Sequence, residues 1–247
     1  MIGLISIVKK LISQSLRPIR LVINSSLFDL LASGGSYSLR HLRRFSNYVI
    51  GPIQRDEALF LYALVKMVDP KTIVEFGFYE GDSSTNFLKA MSSDGRLYSY
   101  DISNASMTFA RKIRDPRFRF ILKSLTEFAP SDIDNRPIDL VFFDASHEFD
   151  LNVTTFEKVK GSLNERGLVV VHDTGAHYVD SNRCQTPMGY FLRGRLDAGY
   201  IHQPNERKFV NYIRESDQNY EQVHLHCTTK FRHGLTILQK NVGPLPL

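Results

Sequence analysis

Five strand-like runs, each ending on a polar residue, restrict what this chain can fold into. The first, Thr72–Phe76, runs into a glycine loop, Gly77-Phe-Tyr-Glu-Gly81-Asp-Ser-Ser84. The second, Arg96–Tyr100, ends on Asp101. The third, Arg117–Leu122, is followed by Lys123 and Ser124. The fourth, Ile138–Phe143, ends on Asp144 with His147 close behind, and the fifth, Leu168–Val171, ends on His172 and Asp173. Helical stretches fall between them, over Ser83–Met91, Ser103–Ile113 and Asp150–Leu163. Strands alternating with helices make a parallel, doubly wound α/β sheet. Such sheets bind ligands outside the carboxyl ends of their strands. Here every one of those ends carries a group able to bind or react, so the pattern is that of an enzyme acting on small molecules.

The flanking segments extend this reading. Asp56–Val68 is expected as a helix, stopped by Pro70 before the first strand. After the fifth strand, Thr174–Pro204 is irregular and carries Gly175, Pro187, Gly189 and Gly199. Glu206–Glu215 is expected to be helical. Two last strands, near Gln222–His226 and Leu235–Gln239, have the spacing of an antiparallel hairpin at one sheet edge. The domain is expected over residues 51–247, preceded by a basic, helical segment over residues 1–50.

Charge separates these two parts. Residues 1–50 hold seven basic residues against Asp29 alone, and the remainder holds 24 basic and 25 acidic residues. The basicity therefore belongs to the first segment, which argues against a nucleic-acid groove across the domain. Residues 1–23 are apolar with Lys9, Lys10, Arg17 and Arg20 interspersed, a pattern compatible with an amphipathic helix. Packing on the domain or on a second copy is expected, with peripheral attachment to an anionic membrane as the alternative. The run has neither the order of a signal peptide nor the ~20 apolar residues of a membrane span. Cys184 and Cys227 form neither a disulfide framework nor a zinc spacing, so a cytoplasmic location is expected.

The glycine loop selects among cofactors. A dinucleotide fingerprint would place glycines at 79 and 82, where Tyr79 and Asp82 stand. Glu75 and Asp82 would repel a pyrophosphate, and both suit a cofactor bearing a sulfonium and an amino group, such as S-adenosylmethionine. Asp101 is placed to accept hydrogen bonds from ribose hydroxyls. The plainer alternative is that Glu75 and Asp101 only cap the turns that follow them.

The order Glu75-x-Gly77-x-x-x-Gly81, Asp101, Asp144, His172-Asp173 and a terminal hairpin resembles the class I S-adenosylmethionine-dependent methyltransferases, over about Asp56–Lys240. Phe142-Phe-Asp144-Ala-Ser-His147 with Val170-Val-His172-Asp173 is similar to the branch of macrolide-sugar O-methyltransferases and cephalosporin hydroxylase-like proteins. The resemblance implies a seven-stranded Rossmann-like sheet with the last strand antiparallel. It places the cofactor along Glu75, Gly77, Gly81, Ser83, Asp101, Ile102, Ser124, Leu125 and Asp144. It also implies a divalent cation such as Mg²⁺ on Asp144, His172 and Asp173, with His147 as the base. His172 departs from that pattern, because it stands where those relatives carry a second acid.

Chemistry supports the same cluster. Two carboxylates at adjacent strand ends, ~4.8 Å apart, can share one hard cation. A histidine beside them, with a reference pKa of ~6.5, can take a proton from an acceptor hydroxyl. The expected activity is O-methylation of a hydroxylated small molecule, a glycosyl unit among the candidates. An iron oxygenase built on His147, His172 and a carboxylate is one alternative. A cofactor-binding module without catalysis is another.

Overall fold

The computed structural model describes residues 53, 55–145, 147–174, 203–216, 220–225 and 234–240. The segment 1–50 and the long connection after Thr174 lie outside the described residues. Helix α1 (Arg55–Val68) leads into strand β1 (Thr72–Phe76). Then come helix α2 (Asp82–Ala90), strand β2 (Arg96–Asp101), helix α3 (Asn104–Ala110) and strand β3 (Phe118–Leu122). Two short 3₁₀ turns, Leu125–Glu127 and Pro130–Ile133, precede strand β4 (Ile138–Phe143). Helix α4 (Phe149–Val159), strand β5 (Leu163–His172), helix α5 (Gln203–Ser216), strand β6 (Tyr220–Leu225) and strand β7 (Leu235–Lys240) complete the described chain.

The seven strands form one sheet in the order β3-β2-β1-β4-β5-β7-β6. Strands β1 to β5 pair in parallel, and β7 runs antiparallel to both β5 and β6. This is the expected sheet, including the antiparallel last strand. The order reverses between β1 and β4, so the ligand crevice of a doubly wound sheet opens there. Strand β1 is buried along its whole length, as a central strand covered on both faces must be.

Aromatic side chains fill one face of the sheet. Phe76 touches Tyr100, Phe128 and Phe143, and Phe143 in turn meets Phe209 of α5. Phe209 also packs edge-on against Phe156 of α4. Helix α5 therefore docks through Phe209, Val210 and Ile213, all buried. That docking decides the site, because the residues just before Phe209 are carried to the ends of β4 and β5.

The element ends differ most from the sequence reading between α4 and β5. The helix expected to reach Leu163 stops at Val159, and β5 begins at Leu163 rather than Leu168. The extra residues pair out of step with β4, where the register shifts between Ile138 and Leu140. Asn164, Glu165 and Arg166 are exposed and polar, so hydrophobic patterning gives no strand signal there.

Candidate active site

The glycine loop is shaped by its neighbours as much as by any ligand. Gly77 has φ +104°, and a Cβ there would lie 2.1 Å from the Asp144 carbonyl oxygen. Its amide donates to the Tyr100 carbonyl, and the Asp144 amide donates to the Phe76 carbonyl. The loop therefore leaves β1 in contact with the end of β4, in a conformation that only glycine adopts cheaply. Gly77→Ala combines overpacking with backbone strain and is expected to cost roughly 2–4 kcal/mol. Urea unfolding measures it, and an unchanged midpoint would show that the contact relaxes freely. Gly81, at φ +85°, is held by Phe78, whose ring a Cβ would meet at 2.5 Å.

Glu75 is fully buried at the end of β1. Its carboxylate accepts hydrogen bonds from Ser83, Ser84 and Ser99. Ser83 and Ser84 lie in the first turn of α2, so a negative charge faces the positive end of that helix. Burial pushes Glu75 up to about 7 against the opposing pull of the three hydroxyls. In this structure Glu75 clasps the loop onto α2 and β2.

Asp101 joins the loop from the other side. It accepts from the Tyr79 amide at 2.8 Å, the Ser103 amide at 2.8 Å and the Ser106 hydroxyl at 3.0 Å. A carboxylate has about four acceptor positions, so room remains for a further donor. Ile102 and Tyr79 flank it and are 72% and 65% exposed. Large apolar side chains left in solvent beside a carboxylate fit a purine and its ribose. Ser124 caps the turn after β3 by accepting from the Thr126 amide, and Leu125 is buried beneath it.

The ends of β4 and β5 carry the second cluster. His172 is buried, with Nδ1 2.9 Å from Asp144 Oδ1 and 3.4 Å from Asp173 Oδ1. Its Nε2 lies 3.2 Å from Glu57 Oε2, and the other Glu57 oxygen accepts from the Gly234 amide at 3.0 Å. Burial alone would lower the His172 pKa. The charges of Asp144 and Asp173, with the bonds to Asp144 and Glu57, hold it well above 6.5 instead. Asp173 has φ +59°, a left-handed turn that aspartate tolerates better than most residues and that ends β5 abruptly.

His147 is half-exposed above this pair. Its Nδ1 is 2.6 Å from Glu206 Oε1 and 3.8 Å from Asp173 Oδ2. Asn205 donates to the His147 carbonyl at 2.8 Å, so α5 fixes both ring and backbone. The Glu206 bond raises the His147 pKa, against the opposing effect of burial. One ligand atom each from Asp144, His172 and Asp173 lies within 4.8 Å of the others. Two oxygens and one imidazole nitrogen at that spacing fit a divalent cation. Asp144, His147, His172 and Asp173 are thus brought together, while Asp101 ends strand β2 and Glu75 is buried within β1.

Comparison with known proteins agrees with this fold. Residues 74–174 match the family model described as a methyltransferase domain.

A candidate caffeoyl-CoA O-methyltransferase from Staphylococcus aureus superposes on this chain with a TM-score of 0.62 and 18% identity. The match covers 89% of this chain and all of that one. The O-methyltransferase TomG from Streptomyces achromogenes, solved in complex with SAM, has a TM-score of 0.57 at 15% identity over 88% of this chain and 95% of its own. The Bacillus cereus O-methyltransferase solved with SAH gives 0.54 at 17% identity over 81% and 86%. No curated protein sequence matches significantly. Among the described residues, no helix is long and apolar enough to cross a membrane.

Sequence reading missed Glu57 and Glu206. Each opens the buried stripe of a helix. Glu57 stands four residues before Leu61, and Glu206 three and four before Phe209 and Val210. A carboxylate on the apolar face of an amphipathic helix was the available signal, since acids are almost never fully buried unless paired.

Proposed function

We propose that the chain transfers a methyl group from S-adenosylmethionine to a hydroxyl of a small acceptor, a glycosyl unit among the candidates, with His147 as general base. The carrying observation is the bond from His147 Nδ1 to the buried Glu206, 2.6 Å long, at the sheet end beside Asp144 and Asp173. Glu206 can only accept, so it places the proton on Nδ1 and turns Nε2 into the basic nitrogen. S-adenosylmethionine supplies an electrophilic methyl: the acceptor oxygen bonds to its carbon as the carbon–sulfur bond breaks, leaving S-adenosylhomocysteine. His147 takes the acceptor's proton.

Asp144, His172 and Asp173 would hold a divalent cation. Such an ion lowers the pKa of a hydroxyl bound to it. A cavity of about 300 Å³ beside Asp173, lined by Thr174, Arg207, Val210, Asn211, His224 and Thr236, suits a small acceptor. An iron oxygenase would leave the glycine loop, Asp101 and the exposed Ile102 without a role.

The test is calorimetry with S-adenosylhomocysteine, then a screen of hydroxylated acceptors for methyl transfer. Asp101→Ala should weaken S-adenosylhomocysteine about tenfold or more, the loss of one charged hydrogen bond. Equal affinity in parent and variant would remove Asp101 from the cofactor site.

A further inference from the structure

We infer that Glu57 of α1 is a positioning residue that turns His172 Nδ1 toward Asp144 and Asp173, making a nitrogen-containing cation site that selects Mn²⁺ and similar first-row ions over Mg²⁺. The inference rests on the divalent-cation reading of the proposed function.

The geometry is specific. Glu57 and His172 are both buried, at 7% and 6% exposure, and Glu57 Oε2 lies 3.2 Å from His172 Nε2. A carboxylate accepts and does not donate, so Nε2 is the protonated nitrogen. The Gly234 amide holds the other Glu57 oxygen at 3.0 Å, which keeps the carboxylate from swinging away. Glu57 therefore ties α1 to β5 and β7 through one side chain. Nδ1 then points at the two aspartates, 2.9 Å from Asp144 Oδ1 and 3.4 Å from Asp173 Oδ1.

The two nitrogen–oxygen spacings fit a shared ion. Donors ~2.1 Å from one cation lie about 3.0 Å apart at right angles and about 3.4 Å apart at tetrahedral angles. A cation entering there takes the place of the Nδ1 proton. Mg²⁺ prefers an all-oxygen shell, whereas imidazole suits the later first-row ions. A ligating histidine that donates its other N–H to a carboxylate is fixed in tautomer and made more basic.

The test uses the full-length protein and Mn²⁺ or Mg²⁺ alone, with binding read by electron paramagnetic resonance and calorimetry. Mn²⁺ should bind at least about tenfold more tightly than Mg²⁺. Pulsed resonance of bound Mn²⁺ should show coupling to a ¹⁴N nucleus that His172→Asn removes. Glu57→Gln, which keeps the side chain's size and its oxygen toward Gly234, should weaken Mn²⁺ about 10- to 100-fold. S-adenosylhomocysteine affinity of that variant should stay near the parent value, and its unfolding should remain a single cooperative transition.

Each failure has a separate meaning. A parent that binds neither ion rejects metal assistance and this inference together, while cofactor binding and methyl transfer stand apart. Bound Mn²⁺ without ¹⁴N coupling overturns the role of His172, and this reading needs no variant to fold. Unchanged Mn²⁺ affinity in a folded Glu57→Gln protein overturns the role of Glu57.

Discussion

His147→Ala is expected to lower turnover about 100- to 10,000-fold while S-adenosylhomocysteine binds as in the parent. The ring lies at the end of β4, on the far side of the crevice from Asp101, so its loss removes the base and spares the cofactor. Its pH profile carries a second expectation. The hydrogen bond to Glu206 raises the His147 pKa above the ordinary 6.5. A base works only when deprotonated, so turnover should rise with pH through that raised value. Glu206→Gln removes the negative charge, lets the His147 pKa fall, and should move the rising limb to lower pH. Full turnover in His147→Ala would reject the base assignment. An unmoved limb in Glu206→Gln would separate Glu206 from it.

Chelation should be nearly as damaging. Excess chelator is expected to reduce the parent's turnover by at least about 100-fold, with Mn²⁺ restoring it. The motive is the convergence of Asp144, His172 and Asp173 on one small volume beside His147. Asp144→Asn should lose turnover and cation affinity together, because asparagine keeps one oxygen and drops the charge. Undiminished turnover in excess chelator would leave His147 working without an ion. Asp144 and Asp173 would then only position His172 and the acceptor.

The sheet was legible because its signals are local. Each strand is a short apolar run closed by a polar residue, and each helix between them repeats at helical spacing. Strand-end residues such as Asp101, Asp144 and Asp173 follow from that pattern directly, since the carboxyl edge of a parallel sheet gathers whatever ends its strands. The resemblance to class I methyltransferases rests on the same local features. Gly77 was legible too, but for a partial reason. Sequence suggests close approach of a ligand, whereas the structure adds the Asp144 carbonyl, 2.1 Å from where a Cβ would stand.

What sequence could not place was the pairing of side chains far apart in the chain. Glu57 and His172 are separated by 115 positions, and His147 and Glu206 by 59. Each contact depends on how a helix docks its apolar stripe, α1 against α2 with Leu61 and Val65 buried, and α5 on the sheet through Phe209 and Ile213. Patterning says that such a stripe will be buried. It does not say against which strand end, so it cannot tell a carboxylate on that stripe from a misplaced surface charge. The sequence by itself determined the sheet and the residues at its edge. Only tertiary packing decided that Glu57 would face one histidine and Glu206 the other, because a buried carboxylate is tolerable only where the fold supplies its partner.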